Sequence, residues 1–330
     1  MSKAEIDAYL SALQKSGLVP KEQVSSVLSR IIREAGGKRI DAQYVATCFE
    51  QAGLVTAWHN EKLIKGRYKG FFLGSYKLLG HIGTGGMSNI YLGEHVQMRR
   101  RVAVKVLPPT LTTNTSHLQR FIMESRVIAS LDHPNIVRAY DIAHQGSFHY
   151  LVLEFVEGCD LRRTVEERGP LPYEEAADYV RQAADGLHHA HSKGVVHRDV
   201  KPANLLVDTE GIVKVLDMGL TRIIDSNDPS LTLAHNEKLI GTVDYIAPEQ
   251  ANNSHNVDAR ADVYSLGCSF YFLLTGHPPF PDGSQTQRLM AHQQTPVKPI
   301  AEERPDCPPE LWDVIQRMMA KKVKDRIQSD

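Results

Sequence analysis

The sequence predicts an α+β chain: a small helical bundle first, then strands around a glycine turn, then a long helix that runs into a strand-flanked loop. Three observations predict it. Apolar residues recur at helical spacing through the first 65 positions. Strand-type alternation surrounds a glycine turn between Tyr76 and Gly93 and returns at 102–105 and 150–156. A long alanine-rich helical pattern, Tyr173 to Ser192, then runs into a polar loop clamped between apolar strands.

At 330 residues and 42% apolar, the chain can bury a full core and has room for two or three domains. The formal net charge is -1, with 38 basic and 39 acidic residues, so no global field favours nucleic acid or an anionic membrane. Cys48, Cys159, Cys268 and Cys307 lie far apart and form no CxxC pair. They read as buried or incidental thiols of a reducing compartment, and a cytoplasmic location is expected. The first twenty residues lack a signal-peptide core, and no run approaches 18 apolar residues, so no membrane segment is expected in this chain.

Ile6, Leu10 and Leu13 fall on one helical face that Gly17 stops. Val24, Val27, Leu28, Ile31 and Ile32 line a second, ending at Gly36-Gly37. Asp41 reads as the N-cap of a third helix carrying Tyr44, Val45, Cys48 and Phe49 and closed by Gly53; Thr56 caps a fourth with Trp58, Leu63 and Ile64. Residues 1–65 are therefore expected to form a helical region too small to be very stable alone. It should pack on the domain C-terminal to it or self-associate, and it carries no catalytic constellation. Residues 66–75 read as a tether with Arg67 and Lys69 exposed.

The chemistry concentrates at His197-Arg198-Asp199-Val200-Lys201-Pro202-Ala203-Asn204, led in by Val195-Val196 and followed by Leu205-Leu206-Val207. An acid can accept a hydroxyl proton, a lysine can neutralise phosphate oxygens, and an Asn oxygen can hold Mg²⁺. This stretch resembles the protein kinase catalytic loop. Other parts of the family pattern stand in order around it, from about residue 76 to 328. The glycine turn Ile82-Gly83-Thr84-Gly85-Gly86-Met87-Ser88-Asn89-Ile90 lies between two strands, unlike a dinucleotide-binding turn, and has Ser88 where the family has its third glycine. Val102-Ala103-Val104-Lys105 delivers a single lysine, and Glu124 on the helical pattern Leu118 to Ser130 is the matching acid. Standing alone, Lys105 would read as a surface lysine of an edge strand and Glu124 as a solvated helix residue.

The resemblance implies a two-lobed protein kinase fold over residues 76–330, a small antiparallel sheet with one helix at 76–153 and a hinge and large mainly helical lobe at 154–330. It implies that Ile82, Gly83, Thr84, Gly85, Gly86, Met87, Ser88, Ile90, Ala103, Lys105, Leu153, Glu154, Val156, Asp160 and Leu206 bind ATP. Leu153 takes the gatekeeper position, and Asp160 faces the ribose. It implies that Asp199, Lys201, Lys105, Glu124 and Thr242 serve catalysis. Asn204 and Asp217, the latter in an Asp217-Met218-Gly219 run with Met for the family's Phe, are expected to hold Mg²⁺, or Mn²⁺ in its place. Arg198, Glu249, Asp262 and Arg326 are the implied structural residues.

Lys201 and Thr242 point to Ser/Thr acceptors in protein substrates. The segment between Asp217 and Ala247-Pro248-Glu249 is rich in Ser, Thr, Asn and Asp, and within it Ser230 and Thr232 are the expected phosphorylation sites, a phosphate there pairing with Arg198. Of His188, His189 and His191 near a helix end, the i,i+3 pair His188 and His191 has no third ligand placed by sequence, so a metal site is not expected there. Two other readings stand beside the kinase: a pseudokinase that scaffolds or binds nucleotide, favoured only by Ser88 and Met218, and a helical front end that recruits a partner.

Overall fold

A computed structural model describes residues 3–35, 40–85, 88–107, 122, 125–216, 218, 243–252 and 257–329. Its contacts divide the chain into two compact units, Met1–Thr112 with Asp141–Phe155, and Thr113–Tyr140 with Val156–Asp330.

The first unit opens with four helices, α1 (Lys3–Ser16), α2 (Lys21–Ala35), α3 (Ala42–Gln51) and α4 (Ala57–Ile64). Their ends follow from local chemistry. Gly17 takes φ 70° after α1, where Ser16 Oγ turns back to the Leu13 carbonyl. Asp41 accepts the Tyr44 N–H at 2.8 Å as the N-cap of α3. Thr56 caps α4 in an unusual box, since the reciprocal acceptor is the imidazole of His59, whose Nδ1 takes the Thr56 N–H at 3.0 Å. Tyr9, Leu13, Ile31, Val45, Phe49 and Leu63 are each almost fully buried and form the bundle's core.

The segment expected as a tether is not one over its second half. Phe71 is 2% exposed and belongs to the bundle's core, and Phe72–Leu73 form strand β1. A six-stranded sheet comes next, in the order β1, β2 (Tyr76–Gly85), β3 (Ser88–His95), β4 (Arg101–Val106), β6 (Phe148–Glu154), β5 (Ala139–Gln145). The pairs β1–β2, β2–β3, β3–β4 and β4–β6 are antiparallel. The helices and this sheet share one unit, and α4 is sewn to β2. Thr56 Oγ1 donates to the Leu79 carbonyl and His59 Nε2 to the Leu78 carbonyl, both at 2.6 Å. Trp58 and His59 both meet Phe71 edge-on.

The second unit holds a three-stranded sheet in the order β7 (Gly158–Asp160), β8 (Leu205–Asp208), β9 (Val213–Val215). Its helices are α5 (Leu161–Arg168), α6 (Tyr173–Ser192), α7 (Pro248–Asn252), α8 (Arg260–Thr275), α9 (Gln285–Gln294) and α10 (Pro309–Met318). Every residue from Ala261 to Leu274 of α8 is buried, so this helix is enclosed all round and forms the centre of the core. Gly267 permits that packing, because a Cβ there would stand 2.8–2.9 Å from Met319 and Met318. Residues 125–129 are helical, with Val127 44% exposed and Ile128 buried. Among the described residues no helix is long and apolar enough to cross a membrane.

His59 gives the first unit a pH signature. The ring has no solvent exposure, and desolvation pulls its pKa from 6.5 to about 4. Between those values the unfolded chain binds a proton that the folded chain refuses, so stability falls as pH drops from about 6.5 towards 4. The loss should reach about 3 kcal/mol. Chemical denaturation across that range should show it, and His59→Gln, which can still accept from Thr56 and donate to Leu78, should flatten it.

Candidate active site

The loop 195–205 carries the polar cluster, and α8 sets its shape. Arg198 has φ 66°, a left-handed conformation that costs a non-glycine residue about 1–2 kcal/mol. Asp262, with no solvent exposure, compensates from inside the core. Its Oδ2 accepts the His197 N–H and its Oδ1 the Arg198 N–H, each at 2.7 Å, and His191 Nε2 lies 2.8 Å from Oδ2. On the far side of the residue, Gln250 Nε2 donates to the Arg198 carbonyl at 2.9 Å, and Arg198 Nη2 donates to the Val257 carbonyl at 3.4 Å.

His197 is fully buried and ties the loop to the strand beside it. Its Nδ1 accepts the Asp199 N–H at 3.2 Å, so its Nε2 carries the proton donated to the Leu216 carbonyl at 2.6 Å. The Leu216 N–H returns to the Asn204 carbonyl at 2.9 Å. Held this way, Asp199, Lys201 and Asn204 converge. Lys201 Nζ stands 3.0 and 2.9 Å from the two Asp199 carboxylate oxygens. Asn204 Nδ2 donates to the Asp199 carbonyl at 2.7 Å and to its Oδ2 at 3.1 Å. With the NH₂ group committed to Asp199, the Asn204 side chain keeps its Oδ1 as a hard oxygen donor of the kind Mg²⁺ takes.

Strand β9 is anchored independently. Asn135 Nδ2 donates to the Val213 carbonyl and to Gln182 Oε1, which also accepts the Val213 N–H. Residue 186 must be glycine for this, since a Cβ there would lie 2.7 Å from the Asn135 carbonyl oxygen. Met218 is 2% exposed and sits in the large core. Beside the loop, a cavity of about 790 Å³ is lined by Lys201, Ala203, Arg162, Tyr245, Asp244 and Arg288 among others. Asp244 pairs with Arg288 there, yet burial raises its pKa from the ordinary aspartate value, against the pull of the arginine. Asp160 accepts the Arg163 N–H at 2.9 Å as the N-cap of α5. Farther off, Arg326, its side chain wholly buried, forms a bidentate pair with Glu249 at 2.6 and 3.0 Å and donates to the Arg260 carbonyl.

In the first unit, the glycine turn closes β2 on β3, with Gly83, Thr84 and Gly85 opposite Ile90, Asn89 and Ser88. Ser88 is buried, Ile90 is half-buried and Ile82 is 49% exposed. Lys105 is buried on β4, opposite Ile90 and Leu151, and Ala103 stands opposite Leu153, also buried. Glu154 pairs with Val102 at the end of β6; Val156 and Leu206 are half-buried in the second unit. Gly86, Met87, Glu124, Asp217, Thr242, Ser230 and Thr232 lie outside the described residues. Sequence reasoning named His197 and His191 without giving either its role and missed Gln250, Asn135 and Gln182, polar residues whose partners are far along the chain.

A family model described as protein kinase domain matches residues 76–330. The chain belongs to the protein kinase family. It is 39% identical over 259 residues to serine/threonine-protein kinase PknB of Mycobacterium leprae, covering 77% of this chain and 41% of that protein. It is 36% identical over 248 residues to serine/threonine-protein kinase PrkC of Bacillus subtilis, covering 75% of this chain and 38% of that protein. The chain thus spans about two fifths of the length of these curated relatives. Among solved structures, the Mycobacterium tuberculosis PknI kinase domain matches with a TM-score of 0.61 at 27% identity, over 78% of this chain and 93% of that one.

The loop 195–205 should fail first where its backbone is held. Asp262→Asn keeps the shape of the side chain but replaces one of its two accepting oxygens by a donor. We expect a loss of about 2–3 kcal/mol in urea unfolding, the cost of leaving a buried amide unpaired.

Proposed function

We propose that this chain is an ATP-dependent protein serine/threonine kinase that transfers the γ-phosphoryl group of ATP to Ser or Thr hydroxyls of protein substrates. The convergence of Lys201 and Asn204 on the Asp199 carboxylate carries the reading, because it supplies a fixed acceptor for a hydroxyl proton beside a cation. In the transfer, the acceptor oxygen bonds to the γ-phosphorus and the bond to the β–γ bridging oxygen breaks. ADP leaves, and the hydroxyl proton passes to Asp199. Lys201 neutralises charge on the phosphoryl oxygens, so catalysis is mainly positioning and electrostatics. Lys105, paired with Glu124, would hold the α- and β-phosphates, and the glycine turn would cover them.

Asn204 and Asp217 are the residues to hold a divalent cation, Mg²⁺ or Mn²⁺, which when bound screens the phosphate charge. The oxygen-donor set fits such an ion. The substitutions that depart from the family pattern remove neither a phosphate partner nor a metal ligand. Ser88 is small, and Met218 fills an apolar position by its burial. The cavity beside Lys201 and Asp244 is the place for the acceptor segment of a protein substrate.

Two outcomes test this. Asp199→Asn should abolish transfer from radiolabelled ATP while leaving nucleotide affinity within about twofold, because Asp199 meets the acceptor and not the nucleotide. Near-normal turnover beside an inactive Lys105→Met would overturn the assignment. In addition, mass spectrometry after incubation with ATP should find phosphate on Ser230 or Thr232, and replacing both by Ala should slow transfer to an added substrate. A fully active, unmodified segment would remove the regulatory part of the proposal.

A further inference from the structure

Strand β2 is irregular at two places between α4 and the glycine turn. Leu78 pairs with Gly93 and Gly80 with Leu92, so Leu79 is an extra residue; His81 pairs with Tyr91 and Gly83 with Ile90, so Ile82 is another. Bulges of this kind bend a strand and re-aim the residues beyond them. The first bulge is not left to the ladder. The Leu79 carbonyl takes the Thr56 hydroxyl, and the neighbouring Leu78 carbonyl takes His59 Nε2–H. Helix α4 therefore pins the backbone at the point where β2 turns towards the phosphate-covering loop.

A line of side chains continues from that contact. The Trp58 ring meets Tyr91 on β3 edge-on, with centroids 5.9 Å apart. Tyr91 in turn meets His81 edge-on at 5.3 Å. His81 Nε2 lies 3.2 Å from Thr84 Oγ1 and 3.4 Å from Asn89 Oδ1. Thr84 and Asn89 face each other across the hairpin, one position before the Gly85–Ser88 pair. His81 thus ties both arms of the turn together, and Tyr91 links His81 to Trp58.

We infer that the N-terminal helices are a positioning device for the glycine turn, acting from Trp58 through Tyr91 and His81 to Thr84 and Asn89. The inference rests on the kinase reading only for its kinetic consequence: a held turn binds ATP more tightly, while the groups that carry out transfer are elsewhere. Trp58 and His81 are positioning residues, since neither touches a reacting atom. A module that merely stabilised the sheet would need Trp58 but would be indifferent to His81, which is exposed and contributes little to packing.

The test uses the full chain and the variants Trp58→Ala, Trp58→Phe, His81→Ala and the Trp58→Ala/His81→Ala double. Hydrogen exchange without nucleotide should speed up at Thr84, Gly85, Ser88 and Asn89 in both single alanine variants. KM for ATP and the Kd of a fluorescently labelled ADP should rise roughly three- to tenfold, with kcat within about twofold. The double variant should be no worse than the worse single one, and Trp58→Phe should recover most of the effect. Because His81 is exposed, His81→Ala leaves the fold intact even where Trp58→Ala loosens the bundle. Unchanged exchange and KM in His81→Ala, or additive effects in the double variant, would overturn the inference. If the unsubstituted chain neither binds nucleotide nor transfers phosphate, faster exchange in the variants still supports the link, and only the kinase reading fails.

Discussion

A carboxylate with no access to water holds the loop 195–205 in a left-handed backbone shape that would cost an arginine about 1–2 kcal/mol on its own. Asp262 accepts two successive amides, from His197 and Arg198, and so stabilises the left-handed turn between them. Burying a charge is costly unless every lone pair is used, and here His191 takes up further capacity of the same carboxylate. The positions of Asp199, Lys201 and Asn204 depend on this arrangement. Without the turn, the acid and the lysine would still be two residues apart in sequence, but not held against one another in a fixed direction.

The core around Asp262 explains why the clamp is rigid. Helix α8 is buried along almost its whole length, so its one acid cannot move to solvent and must be satisfied where it stands. Glu249 and Arg326 apply the same logic nearby: a wholly buried guanidinium is acceptable because two carboxylate oxygens and a backbone carbonyl meet its donors. Polar groups deep in this unit act as fasteners between segments far apart in sequence, and hydrophobic packing supplies the enclosure that makes them strong.

The first unit uses a smaller version of the same device. Two consecutive polar residues on α4, His59 and Asn60, are both buried. His59 reaches the sheet, while Asn60 reaches back into the bundle, accepting from Tyr9 and donating to the Ala46 carbonyl. One short helix therefore couples the N-terminal helices to β2. That coupling, together with Phe71 in the bundle's core, makes the front end part of the sheet's own unit instead of an appendage.

Much of this was legible in the sequence, because it depends on local order. Helix faces, the caps at Asp41 and Thr56 and the strands around the glycine turn follow from residue type and spacing, whereas Lys105, Asp199, Glu249 and Arg326 were singled out together by the resemblance to the protein kinase family. The second half of 66–75 was misread as tether because the glycines and the charges before it drew attention from Phe71, which buries in the bundle, and Phe72, which pairs in β1. The resemblance pointed to Asp160 as a ribose partner, and the structure adds that its Oδ1 caps α5. What only the tertiary structure decided is which distant polar atoms meet: His191 with Asp262, Asn135 with Gln182 and Val213, Thr56 and His59 with the carbonyls of a β-bulge. No periodicity encodes such pairs. A buried hydrogen bond is specified by where two segments come to rest, and that is fixed by packing of the whole core, whereas a cap or an amphipathic face is fixed within a few residues of itself.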